Sequence, residues 1–125
     1  MKVHLSDGEW TLMNVLWDQE NSTITELTHA LRQETGWSKH TIITMLARLE
    51  AKGAVTHTED GRAKRYTAAL PRTDAARSAT EHFLGKVYGG SLGLMMSAMV
   101  SSRALSQADI DELSAILEQA KEGEP

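Results

Sequence analysis

Between Trp37 and Gly53 the chain reads WSKHTIITMLARLEAKG, and its residue types sort by face. At helical spacing Ile42, Met45, Leu46 and Leu49 share one side, which is built for burial. His40, Ile43, Thr44, Ala47 and Arg48 share the other. That outer face offers hydrogen-bonding groups, one cation and small or apolar contacts, with few long acidic side chains. This is chemistry suited to the base edges and phosphates of a DNA groove. Taken alone, it is also what an ordinary amphipathic helix with a solvated face presents. A second cationic set, Arg62, Lys64 and Arg65, follows Asp60-Gly61. These residues suit flankingphosphates, and equally a charged hairpin edge that discourages strand addition.

The elements that must position these groups are legible from local signals. Ser38 is a good N-cap and Gly53 a good C′ residue for the helix between them. Upstream, Ser6 and Glu9 form a capping box that opens a first helix, with Trp10, Met13, Leu16 and Trp17 as its inward stripe. Thr23 and Glu26 form a second box, opening a helix that runs to about Thr35 with Leu27, Ala30 and Leu31 inward. Only Gly36 and Trp37 separate it from the Ser38 cap, the tight connection a helix-turn-helix requires. Ala54 to Glu59 and Arg62 to Ala69 are rich in Thr, Val and Tyr around Asp60-Gly61, and so predict a β-hairpin with the basic trio on one strand. Helix, helix, turn, helix and basic hairpin together predict a winged helix-turn-helix. The fold class is mainly α with a small hairpin.

Leu70-Pro71-Arg72 marks the expected boundary between a winged-helix domain (1–71) and a helical region (72–125). Beyond it, Thr73 is placed to cap a helix to about Tyr88 with Ala76, Thr80, Phe83, Leu84 and Val87 inward. After Gly89-Gly90, Ser91 to Ser101 is apolar nearly all round, with Leu92, Leu94, Met95, Met96, Met99 and Val100. Ser106 opens a last helix whose stripe is Ile110, Leu113, Leu117 and Ala120, ending at Gly123. A small monomer has little to cover so much apolar surface. The expected solution is a second copy, with Phe83, Leu84, Val87, Tyr88, Leu92, Met95, Met96, Met99, Ile110, Leu113 and Leu117 in a homodimer arm. The methionine cluster also suits a ligand pocket.

The formal charge is −4 over 125 residues, which at first argues against a polyanion partner. Its distribution removes the objection: residues 36–70 are net positive, and residues 71–125 net negative. The absence of cysteine excludes disulfides, thiolate metal sites and cysteine nucleophiles. His4, His29, His40, His57 and His82 lack metal-ligand spacing, and no phosphate-binding loop or nucleophile–base set is present, so no enzyme or cofactor is expected. The longest low-polarity run, Leu92 to Val100, falls far short of the roughly 20 residues a membrane helix needs, and no leader is visible, so a cytoplasmic protein without a membrane partner is expected.

Several segments resemble the penicillinase-repressor (BlaI/MecI/CopY) family of winged-helix regulators. They are LSDGEWTLMNVLW, WSKHTIITMLARLEAKG, the hairpin ending in Tyr66, HFLGKVYGGSL and ALSQADIDELSAIL, which together span almost the whole chain. The resemblance implies a homodimeric repressor that binds an inverted-repeat operator, often of the TACA/TGTA type, and excludes RNA polymerase. Thr41, Thr44 and Arg48 match polar positions of the family's recognition helix. His40 stands where a basic residue is common and Ile43 where an Arg is often found, which implies a different preferred operator. The proteolytic Asn-Phe pair of β-lactam-responsive members is replaced near Ser97-Ala98, and the cysteine motif of copper-responsive members is missing. No inducer is implied. The expected contact set is therefore Ser38, Lys39, His40, Thr41, Ile43, Thr44 and Arg48 on the helix, with Arg62, Lys64 and Arg65 on the wing. His40, Ile43 and Thr44 are assigned to bases; Lys39, Arg48, Lys64 and Arg65 are assigned mainly to phosphate. The competing expectation is a winged-helix adaptor that binds protein and not specific DNA.

Overall fold

A computed structural model describes residues 3–123. The order is α1 (Asp7–Asp18), β1 (Ser22–Thr23), α2 (Ile24–Thr35), α3 (Lys39–Ala51), β2 (Val55–Asp60), β3 (Ala63–Ala68), α4 (Arg72–Tyr88), α5 (Leu92–Ser101) and α6 (Gln107–Glu122). Capping boxes close the starts of α1, α2 and α6 through Ser6/Glu9, Thr23/Glu26 and Ser106/Asp109. The chain divides into two compact units, one through Thr80 and one from Glu81 onward. That division falls inside α4, later than the Leu70-Pro71 break.

The first unit is a winged helix. Leu12, Met13 and Leu16 of α1, Leu27 and Leu31 of α2, and Ile42, Leu46 and Leu49 of α3 form its core with Val55, Tyr66 and Ala75. Trp10 and Trp17 pack against this core half-buried, meeting edge to face at 5.7 Å between ring centroids, and Leu12 is fully buried. Two expectations about which residues turn inward need correction. Ala30 is exposed, and Thr28 takes the inner position. In α4 the buried residue is Ala75, while Ala76, Thr80, Phe83 and Val87 are exposed. Nor does Thr73 cap that helix. It starts at Arg72, with the Pro71 carbonyl accepting the Ala75 N–H at 3.1 Å. Proline suits the position before a helix because its fixed φ needs no amide donor there.

The sheet has three antiparallel strands in the order β1-β3-β2. The hairpin is as expected, but its two-residue loop is Gly61-Arg62, because Asp60 pairs with Ala63. Gly61 has φ 66°, which a two-residue loop with glycine first requires. The unexpected strand is β1, where Ser22 pairs with Tyr66 and Thr23 with Arg65. It covers the outer edge of β3 and ties the wing to the cap of α2.

In the second unit α5 and α6 contain no buried residue. Gly89 and Gly90, at φ 59° and 87°, turn the chain between α4 and α5. Among the described residues no single helix is long and apolar enough to cross a membrane. Helices α4 and α5 meet the length and composition only as a pair, bent by 75°.

Candidate nucleic-acid interface

Helix α3 is fixed along its inner face by Ile42, Leu46 and Leu49, each fully buried, with Met45 half-buried beside them. This leaves His40, Ile43, Thr44, Ala47 and Arg48 on the exposed side, with Ile43, 44% exposed, as the large aliphatic group of that face. Lys39 is exposed at the first position of the helix, and Thr41 is half-buried.

The hydroxyls on this surface are already oriented. Ser38 Oγ accepts the Thr41 N–H at 3.2 Å and lies 3.2 Å from Thr41 Oγ1. Thr44 Oγ1 donates to the His40 carbonyl at 3.1 Å. Toward a groove, Thr44 therefore presents an acceptor lone pair and a methyl group, but no free proton.

The end of α3 is closed by Gly53 (φ 81°), whose N–H reaches the Glu50 carbonyl at 3.0 Å, while the Ala54 N–H reaches that of Leu49 at 2.9 Å. Glu50 then links the helix to the wing, its Oε2 lying 2.6 Å from His57 Nδ1. The His57 ring lies 5.4 Å from that of Tyr66. Burial, and then the Glu50 carboxylate, pushes the Tyr66 phenol above its ordinary value. Sequence spacing gave no sign of this cross-link.

The basic trio is not presented on one strand. Arg62 lies in the exposed turn. Lys64 and Arg65 are consecutive in β3 and so point to opposite faces. Lys64 is exposed opposite Glu59. The Arg65 guanidinium donates to the Asn21 carbonyl at 3.2 Å and lies 3.7 Å from Glu26 Oε1. Lys52, part of the positive charge of residues 36–70, is also engaged, donating to the His4 carbonyl and to Glu9. Among the described residues, no group of three or more His, Asp or Glu side chains is placed to hold a metal.

The second unit carries the other open surface. Phe83, Val87, Leu92, Ile110 and Leu117 are exposed, as are Leu94, Val100 and Ile116, which the expected dimer set omitted. Leu84, Tyr88, Met95, Met96, Met99 and Leu113 are half-buried.

Three helices, a tight α2–α3 connection and a β-wing define a winged helix-turn-helix regulator with a helical C-terminal region. The chain belongs to the penicillinase repressor family, whose model matches residues 5–119. That family is one of transcriptional repressors and not of enzymes. The penicillinase repressor of Bacillus licheniformis is 35% identical over 117 residues, which cover 94% of this chain and 91% of the relative. Methicillin resistance regulatory protein MecI of Staphylococcus aureus (strain N315) is 28% identical over 113 residues, covering 90% and 92%. Among solved structures, Bacillus licheniformis BlaI, in its monomeric form in complex with the blaP half-operator, matches at a TM-score of 0.52 and 35% identity. That match covers 59% of this chain and 90% of BlaI's.

Proposed function

We propose that the chain is a homodimeric, sequence-specific DNA-binding repressor, working in the cytoplasm, that recognises an inverted-repeat operator. Each subunit lays α3 in the major groove and its wing along the flanking backbone. The observation that carries this reading is the exposed face of α3, where His40, Ile43 and Thr44 stand clear of the core that fixes the helix from behind. A relative in the same family has been solved in complex with its half-operator, which supports an operator as the partner of this chain.

His40, Ile43 and Thr44 read bases, with Ile43 suited to a thymine methyl group. Ser38, Lys39, Thr41 and Arg48 secure the helix, and Lys39 and Arg48 mainly meet phosphate. Arg62 and Lys64 give the wing its phosphate contacts. Arg65 joins them by exchanging its Asn21 and Glu26 contacts for a phosphate. The exposed apolar residues of the second unit, including Phe83, Leu92 and Leu117, join two copies. Two-fold symmetry then sets half-sites about one helical turn, roughly 34 Å, apart or a multiple of it.

The test is selection from a random duplex pool, followed by titration of the winner against salt and protein concentration. The expected result is an inverted repeat bound by one dimer, with affinity falling steeply as salt rises. A pool that never converges would overturn direct readout and favour an adaptor whose exposed Ile43 meets protein.

A further inference from the structure

Lys52 is the C-cap of α3, where a free ammonium group would be close to any phosphate beside the helix. It is instead turned toward the protein. Its Nζ donates to the His4 carbonyl at 2.9 Å and to Glu9 Oε1 at 2.5 Å. The same Oε1 accepts the Ser6 N–H at 2.8 Å. One carboxylate oxygen thus closes the capping box of α1 and receives the cation from the end of α3. Glu9 is 3% exposed, and a carboxylate so enclosed needs its cation, because an unpaired buried charge is strongly unfavourable.

The same turn of α1 meets α3 a second time. A Cβ added at Gly8 would stand 3.1 Å from Met45 Cε and 3.7 Å from the Trp37 ring, so glycine permits a close approach there. The first turn of α1 therefore touches α3 near its middle through Gly8 and at its end through Glu9.

We propose that Glu9 and Lys52 are positioning residues for recognition: their ion pair sets the rotation and depth of the α3 face that carries His40, Ile43 and Thr44. Lys52 makes no phosphate contact. The inference rests on the DNA-binding reading above and adds to it residues that touch no DNA. It also separates Lys52 from Lys39 and Arg48, the other two Lys and Arg residues of the stretch from Ser38 to Gly53.

Salt dependence distinguishes the two roles of a lysine. A phosphate contact adds about 0.9 to the slope of log affinity against log salt, and a positioning contact adds nothing. The experiment uses the full chain and measures binding to its selected duplex and to random duplex over a salt series. Circular dichroism first establishes a temperature at which each variant is folded. Lys52→Met is expected to leave the slope and the random-duplex affinity unchanged while the preference for the selected duplex falls about tenfold, the loss of one well-aligned base contact.

Glu9→Gln keeps an acceptor for the Ser6 N–H and is expected to lose the same preference. The double variant should be no worse than either single one, because both break one interaction. Lys52→Arg, which keeps a cation within reach, should restore most of the preference, and it decides the matter with Lys52→Met if Glu9→Gln does not fold. A slope that falls by about one per subunit in Lys52→Met would make Lys52 a phosphate contact and overturn the proposal. Melting temperatures that fall while the preference stays intact would overturn it too, leaving the pair a role in stability alone. A wild-type chain with no preference for any duplex is a separate outcome that removes the operator reading and this inference together.

Discussion

Thr44, on the outer face of α3, illustrates how a side chain's role depends on what it already bonds. Thr44 donates its proton to the His40 carbonyl, so a base can use only its lone pair and its methyl group. Thr44→Ala removes both and should cost about 1 kcal/mol or more of discrimination per half-site, read as the ratio of selected to random duplex affinity. Lys64 is exposed on the wing, and Lys64→Ala should weaken every sequence alike and flatten the salt slope. Equal losses on both duplexes from both variants would show that this division of roles is mistaken. The outer face of α3 was legible because helical period alone separates Thr44 from Leu46. The engagement of Lys52 was not, because its partner Glu9 lies 43 residues away and only the folded packing of α1 on α3 joins them. A pH effect follows from that pair. Burial acts to raise the Glu9 carboxyl, but the Lys52 ammonium group and the Ser6 cap outweigh it, and the net shift is downward. A carboxyl depressed in the folded state contributes stability above its unfolded value, about 4.3, and loses it as pH falls through the lower folded value. Thermal unfolding should therefore move to lower temperature as pH drops below about 4, and Glu9→Gln should make that fall shallower while lowering stability at neutral pH.

Elements were legible where their signals are local and obscure where they depend on pairing. Each capping box needs only two residues three apart, so the starts of α1, α2 and α6 could be read directly from Ser6/Glu9, Thr23/Glu26 and Ser106/Asp109. Strand β1 has two residues and no alternation to detect; it exists because β3 offers it an edge. The hairpin register differed from the reading of Asp60-Gly61 by one position, which moved Arg62 from strand to turn and leaves Lys64 and Arg65 on opposite faces. The ends of α3 and α5 allow a paired test. Both helices close with the same two hydrogen bonds, Gly53 to Glu50 and Ala54 to Leu49 in one, Arg103 to Val100 and Ala104 to Met99 in the other. Gly53 holds φ 81° and Arg103 φ 60°, the left-handed region in which a Cβ costs about 1–2 kcal/mol. Gly53→Ala should accordingly destabilise the chain by about 1 kcal/mol, and Arg103→Gly should stabilise it by up to about the same amount. Calorimetric melts of the two variants check this, and shifts of the same sign would contradict it.

At the scale of the whole molecule, the two units differ in how far each buries its own apolar surface. The first encloses Leu12, Leu16, Leu27, Ile42, Leu46 and Leu49 completely, whereas neither α5 nor α6 of the second buries any residue. Charge divides along similar lines, since the positive stretch of residues 36–70 lies in the first unit and the second has a net negative sequence. Two self-repelling acidic surfaces associate only if apolar burial exceeds the repulsion, and the proposed dimer assigns that burial to the exposed Leu92 and Leu117, at 56% and 62%. Replacing both leucines by glutamate adds charge where a second copy would pack, without touching a residue of the winged-helix core. The Leu92→Glu, Leu117→Glu variant should sediment as a monomer while the first unit keeps its cooperative melt. Affinity for a half-site duplex should not change, because one subunit makes all of its contacts. Affinity for the full inverted repeat should fall by about 100-fold or more, because the second half-site is no longer filled from within one molecule. A variant that stays dimeric would exclude this surface from the interface; a monomer that binds the full repeat as tightly as the wild type would exclude dimerisation as the source of affinity.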